Sequence, residues 1–183
     1  TWKADFNDFS DRTDGELKAS KGFIRSKAKS SPLTFLEDDV VIPTHIDYRE
    51  KYKNPTKNQK SCGSCWAFAT TAIVEAQIAI NHGKQVDLSI QQLVDCVPNP
   101  RHCGGKGGCS GLTVEIPLNY ISEHGIVGEE EYEYQAKTNQ CNRDIITKPL
   151  VKVGGFGNVR PNDYDDMMRA IVKYGPVAVG VDA

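Results

Sequence analysis

At 183 residues, with 22 basic against 24 acidic side chains and a formal charge of -2, the chain is long enough for one sizeable core or two small lobes. The mixed charge carries no electrostatic footprint for nucleic acid or an anionic membrane, so neither is expected as a partner. No apolar run approaches the roughly 20 residues needed to span a bilayer, and the amino end TWKADFNDFSDRTDGE lacks the charged-then-apolar order of a secretion signal. The targeting segment of a secreted protein would therefore lie outside these residues.

Residues 1–41 are polar, rich in Lys, Ser and Asp, and lack a sustained apolar stripe, which reads as a peripheral segment or linker. The composition shifts at Ile42-Pro43. Beyond it, CWAFATTAIVEAQIAINHG is apolar or small nearly all round, the pattern of a buried helix ending at Gly83 with a left-handed cap. Ser89 and Gln92, spaced as a capping box, predict a second helix that ends near Cys96. The stretch VPNPRHCGGKGGCSG holds two prolines and five glycines and is expected to be an irregular loop. A third helix is predicted over residues 117–124, with Pro117 in its first turn and Gly125 beyond its end. Asn162 is positioned to cap a fourth, which has Asp163, Asp165 and Asp166 early and Lys173 late, as the helix dipole prefers. Gly175-Pro176 closes it, and VAVGV at 177–181 reads as a buried strand.

The six cysteines (Cys62, Cys65, Cys96, Cys103, Cys109, Cys141) are many for a cytosolic chain of this size and point to disulfides in an oxidising compartment. Zinc is disfavoured, and no metal is expected, because Cys62 and Cys65 form the sole close pair and their neighbours are apolar helix residues. Within NQKSCGSCWAF, Cys65 falls where a loop becomes a helix, beside unpaired amides and the positive end of the helix dipole. Helix starts favour the thiolate, the nucleophilic form of cysteine. Gln59 lies six residues upstream. Its side-chain amide, with the Cys65 backbone amide, is a candidate donor pair for the oxyanion of acyl transfer.

Residues 62–66 read CGSCW, which resembles the Cys-Gly-Ser/Ala-Cys-Trp/Tyr signature of the papain and cathepsin L family of cysteine proteases. The resemblance extends through Gln59, LVDC at 93–96, GCSG at 108–111, YISEHGIVGEEEYEY and GPVAVGVDA at 175–183, and so covers nearly everything from Ile42 onward. Asn7, Phe9 and Asp11 resemble part of the inhibitory propeptide of cathepsin L-like zymogens, and Ile42-Pro43 with Asp47-Tyr48-Arg49 resembles a mature amino terminus. The resemblance implies an α+β two-lobe fold with a cleft between the lobes. Its parts would be a propeptide segment over 1–41, a mainly helical left lobe over 42–157 and the start of a β-rich right lobe over 158–183. It assigns Cys65 as nucleophile, Gln59 to the oxyanion hole, and Gly63, Ser64 and Gly111 to substrate contacts. It also pairs Cys62 with Cys109 and Cys96 with Cys141, leaving Cys103 over for a cysteine beyond Ala183.

Two positions depart from the family pattern: Leu112 stands where a second glycine is usual, and Lys60 where glycine is common. The family also needs an imidazole and an orienting Asn roughly 130–150 residues beyond the cysteine, and the chain ends before that point. His45, His82, His102 and His124 read as surface or helix-end residues. The expected function is peptide-bond hydrolysis through a Cys65 thioester, with no cofactor, protein and peptide substrates, the protein's own propeptide as intramolecular inhibitor, and a monomeric state. Lysosomal, vacuolar and extracellular locations all suit it, and these 183 residues alone are expected to be inactive. The competing readings are a non-catalytic truncated homologue or propeptide-type inhibitor, and a thiol redox protein using Cys62 and Cys65 as a Cys-x-x-Cys pair.

Overall fold

The computed structural model describes residues 10–21 and 40–181. Asn7 and Phe9 fall outside them. Among the described residues the regular elements are helices α1 (Asp14–Ser20), α2 (Cys65–His82), α3 (Ile90–Cys96), α4 (Glu115–His124) and α5 (Tyr164–Tyr174), with one short 3-10 turn at Ile145–Thr147. Among the described residues, extended segments meet only in isolated bridges, Gly63 with Ser110, Leu88 with Gly128, and Ile126 with Val151.

Helix α2 is the axis of the fold. It buries Trp66, Ala67, Thr70, Thr71, Val74, Glu75, Ala76 and Ala79, and ends on Gly83 at φ 65°, the left-handed cap its sequence predicts. The core forms where α3 and α4 pack around it, with Trp66, Leu88, Ile90, Leu93, Leu112, Ile121 and Ile126 essentially removed from water. Each such side chain contributes about 1.5–3 kcal/mol by leaving water. Leu112, the residue in place of a glycine, is wholly buried in this cluster.

Helix α3 begins as predicted, with the Ser89 hydroxyl accepting from the Gln92 amide at 2.9 Å, but the box is not reciprocated. The Gln92 side chain turns inward instead. Its amide donates to Tyr120 Oη and the Gly125 carbonyl while its Oε1 accepts from Val127 N at 2.8 Å, so one buried side chain joins α3 to the end of α4. Helix α4 starts two residues before the predicted position, which places Pro117 third in the first turn, where a missing N–H costs nothing.

Two expectations are corrected and one gains detail. The segment read as peripheral or a linker contains α1, which buries no residue and is closed by a capping box in which Thr13 Oγ1 accepts from Glu16 N and Glu16 Oε2 accepts from Thr13 N. Such a box satisfies two orphan amides locally, so a short helix forms without an apolar stripe. The cap of α5 is Asp163, whose Oδ1 accepts from Asp166 N at 2.9 Å, while Asn162 takes a left-handed turn at φ 60° just ahead of it. Residues 177–181 form no strand, and Val179 and Val181 are exposed, because no neighbouring described segment pairs with their backbone.

Helix α5 is anchored on both flanks. Tyr48 Oη donates to the Ile171 carbonyl at 2.7 Å, and Gln77 of α2 donates to the Tyr174 carbonyl.

Candidate active site

The approach to the site is held by a carboxylate. Glu75, on the buried face of α2 and 1% exposed, accepts from Tyr52 Oη, Asn54 Nδ2, Lys57 Nζ and Leu88 N, all within 2.8–2.9 Å. Lys57 also pairs with Asp87. Burial opposes the Lys57 charge, but its hydrogen bonds to Asp87 and Glu75 and their charges together outweigh it and raise its pKa. Residues 52–57 are thereby strapped along α2, and the chain they deliver next is Gln59.

Gln59 and Cys65 are brought to the two ends of one tight turn. Lys60 adopts φ 56°, a conformation glycine takes freely, with its N–H donating to Asn58 Oδ1 at 2.8 Å. This is the geometric reason a glycine suits that position. The Gln59 side-chain amide donates to the Cys62 carbonyl at 2.6 Å and to the Ser20 carbonyl at 2.6 Å. Ser20 is the last residue of α1, and its hydroxyl reaches the Lys60 carbonyl at 3.5 Å. The amino-terminal segment therefore sits on the glutamine amide.

Cys65 is a free, partly exposed thiol at the first position of α2, and no acidic side chain occupies that first turn. The preceding loop is fixed from the other side. Cys62 is disulfide-bonded to Cys109, Gly63 N donates to the Cys109 carbonyl at 3.0 Å, and Trp66 Nε1 donates to the Gly108 carbonyl at 3.1 Å. Cys96 is bonded to Cys141, and Cys103 is free. Both expected pairings are present, and the Cys62–Cys109 bond removes the Cys62–Cys65 redox pair from consideration.

Ser64 and Gly111 are buried; the Ser64 hydroxyl faces Tyr134, and the Gly111 carbonyl accepts from Gly107 N at 2.8 Å. Gly63 lies beside them through its bridge to Ser110. The histidines stand elsewhere. His82 ends α2, about 26 Å along the helix from Cys65 at the usual rise per residue. His124 ends α4 against the Tyr120 ring, His102 lies in the glycine loop, and His45 is exposed near the start of the matched region.

Sequence reasoning missed Tyr134. Its hydroxyl lies 2.6 Å from Ser64 Oγ and 2.8 Å from the Gln59 carbonyl, and its ring meets Phe68 edge-on at 5.0 Å. No periodicity or spacing marks a tyrosine some seventy positions away in an irregular segment; only its place in the stretch matching the family was visible.

Residues 42–183 match the family model described as "Papain family cysteine protease". The chain is 35% identical to procathepsin L of Mus musculus over 98% of its own length and 53% of that protein's. It is 39% identical to caricain of Carica papaya over 80% of its own length and 40% of that protein's. A solved structure of digestive procathepsin L2 from Tenebrio molitor larval midgut superposes with a TM-score of 0.79 at 32% identity, covering 93% of this chain and 56% of the other. The chain thus spans about half the length of the relatives it matches. On the match over residues 42–183 and the superposition of the whole architecture, the chain belongs to the papain family of cysteine proteases.

Proposed function

We propose that this chain is the propeptide-bearing part of a cysteine endopeptidase in which Cys65 is the nucleophile and Gln59 an oxyanion donor. Residues 1–41 are read as the propeptide, 42–157 as the left lobe and 158–183 as the start of the right lobe; a family match beginning at residue 42 supports the first boundary. The observation that carries the reading is the divided Gln59 amide. One donor is held inside the nucleophile's loop by the Cys62 carbonyl, and the other is taken by the Ser20 carbonyl of the amino-terminal segment. An amide that serves a substrate oxyanion is unavailable while a propeptide carbonyl sits on it, which supports intramolecular inhibition.

In the reaction an imidazole takes the Cys65 thiol proton as Sγ attacks the substrate carbonyl carbon. The negative charge gathers on the carbonyl oxygen and is received by the Gln59 amide and the Cys65 N–H. Collapse expels the amine, protonated by the imidazolium, and leaves a thioester that water hydrolyses. His45, His82, His102 and His124 are poorly placed to be that base, so residues 1–183 alone are read as inactive. Gly63, Ser64 and Gly111 are read as the walls against which an extended peptide lies. Protein and peptide substrates, a monomer, no cofactor, and a lysosomal, vacuolar or extracellular setting complete the reading.

The test is hydrolysis of a fluorogenic peptide by the full-length protein after removal of residues 1–41. Cys65→Ser is expected to abolish turnover, and a peptide epoxide is expected to label Cys65 fast after removal of the segment and slowly before it. Persistent hydrolysis by Cys65→Ser, or no hydrolysis by the processed full-length protein, overturns the protease reading in favour of a non-catalytic homologue.

A further inference from the structure

The Gln59 carbonyl can only accept, so the single Tyr134 proton goes to it, and the Ser64 hydroxyl must then donate to the Tyr134 oxygen. Burial raises the Tyr134 pKa, with a smaller opposing contribution from Ser64, so the phenol keeps the proton this arrangement requires. The result is a directed relay from Ser64 through Tyr134 to Gln59. Ser64 occupies the N-cap position of α2 yet makes no side-chain cap bond, and its hydroxyl is turned toward Tyr134 instead. The first-turn amides of α2 are left without a side-chain acceptor beside Cys65, where an uncompensated helix start favours anionic charge.

Tyr134 is itself held rigidly. Its N–H donates to Glu129 Oε1 at 2.7 Å, and Glu129 Oε2 accepts from Ile90 N at the start of α3 at 3.1 Å. The next residue is tied to the same helix, Gln135 N donating to Gln91 Oε1 at 2.8 Å. Helix α3 thus helps to set the position of the phenol.

Resting on the reading of Cys65 and Gln59 above, we propose that Tyr134 is a positioning residue that locks the oxyanion donor Gln59 and the residue preceding the nucleophile into one register. It acts through the Gln59 main-chain carbonyl and the Ser64 side-chain hydroxyl. Without its hydroxyl, the 59–64 turn keeps the Cys62 disulfide but loses the clamp across its two ends.

The experiment uses the processed full-length protein. Tyr134→Phe keeps the ring against Phe68 and removes the relay alone. It is expected to lower kcat about tenfold with KM within about twofold, a fraction of the roughly hundredfold cost of a misplacement of about 1 Å. In a Gln59→Ala background the same change is expected to lower kcat by less than about twofold, since the side-chain donor whose placement it fixes is gone. Ser64→Ala reports on the relay independently and is expected to lower kcat in the same direction. An unchanged kcat in Tyr134→Phe, or an equal loss with and without Gln59, overturns the inference. If Cys65→Ser remains active the protease reading fails first; if it is dead while Tyr134→Phe matches wild type, only this inference fails.

Discussion

Replacing Glu75 with alanine removes the acceptor of four donors at once: Tyr52 Oη, Asn54 Nδ2, Lys57 Nζ and Leu88 N. Losing one partner of a buried ion pair costs about 3–5 kcal/mol because the other charge is left in a poor dielectric. Lys57 keeps Asp87, which is half exposed, so the lower end applies and the expected loss is about 3 kcal/mol. Glu75→Gln keeps the volume and a carbonyl able to serve Lys57 and Leu88 N, while its amide meets the Tyr52 hydroxyl, which can turn to accept, and faces Asn54 Nδ2 donor to donor. A loss of about 1–2 kcal/mol follows. Urea unfolding followed by tryptophan fluorescence reads both, the alanine variant shifting the midpoint by about 1.5 M for a typical dependence on denaturant. Glu50→Ala, which breaks an exposed pair with Lys53 at 3.7 Å, is the control and is expected to stay within about 0.5 kcal/mol of wild type. A Glu75→Ala variant no less stable than Glu50→Ala would refute the claim that this carboxylate straps residues 52–57 onto α2.

Two further stability effects are expected. Asp166, wholly buried, is held below the usual carboxylate range chiefly by its hydrogen bond to the Arg160 side chain, so the stability it contributes is complete above its ordinary value of 3.8 and is lost as pH falls through the lower folded value. Asp166→Asn is expected to cost about 1–2 kcal/mol at neutral pH and to flatten the acid limb of a melting-temperature profile; an unchanged acid limb contradicts the assignment. At Gly125, φ is 79° and an added Cβ would stand 2.4 Å from Pro149 Cβ and 2.9 Å from the Val151 carbonyl oxygen. Gly125→Ala is expected to lose about 2–4 kcal/mol by thermal unfolding, whereas Gly154→Ala, with open space around it, is expected to stay within about 0.5 kcal/mol. Equal effects at the two glycines would remove the steric argument.

Much of the site was legible because its chemistry is local. A free cysteine at a loop-to-helix boundary, a glutamine six residues before it, and a helix that stays apolar until a terminating glycine are all properties of adjacent residues. Their physical basis, helix-end amides and a left-handed cap, acts within one or two turns. The same locality explains where the reading slipped. Ser89 and Gln92 satisfy the spacing of a capping box, but the buried interior between α3 and α4 left carbonyls and amides that only the Gln92 side chain could reach. Residues 177–181 carry strand propensity, yet a strand is a property of its partners, and none of the described segments pairs with them.

From the amino-acid order alone, the family, a candidate nucleophile, a candidate oxyanion donor and both disulfide pairings could be inferred, the last by resemblance. What only the tertiary structure decided is how these parts are held. The Ser20 carbonyl on the Gln59 amide, the Glu75 carboxylate shared by four donors and the Tyr134 hydroxyl between Ser64 and Gln59 join residues separated by 39, 23 and 70 positions, among others. Such contacts follow from burial, which forces every polar group removed from water to find a partner wherever the fold brings one within about 3 Å. No periodicity along the chain encodes that search.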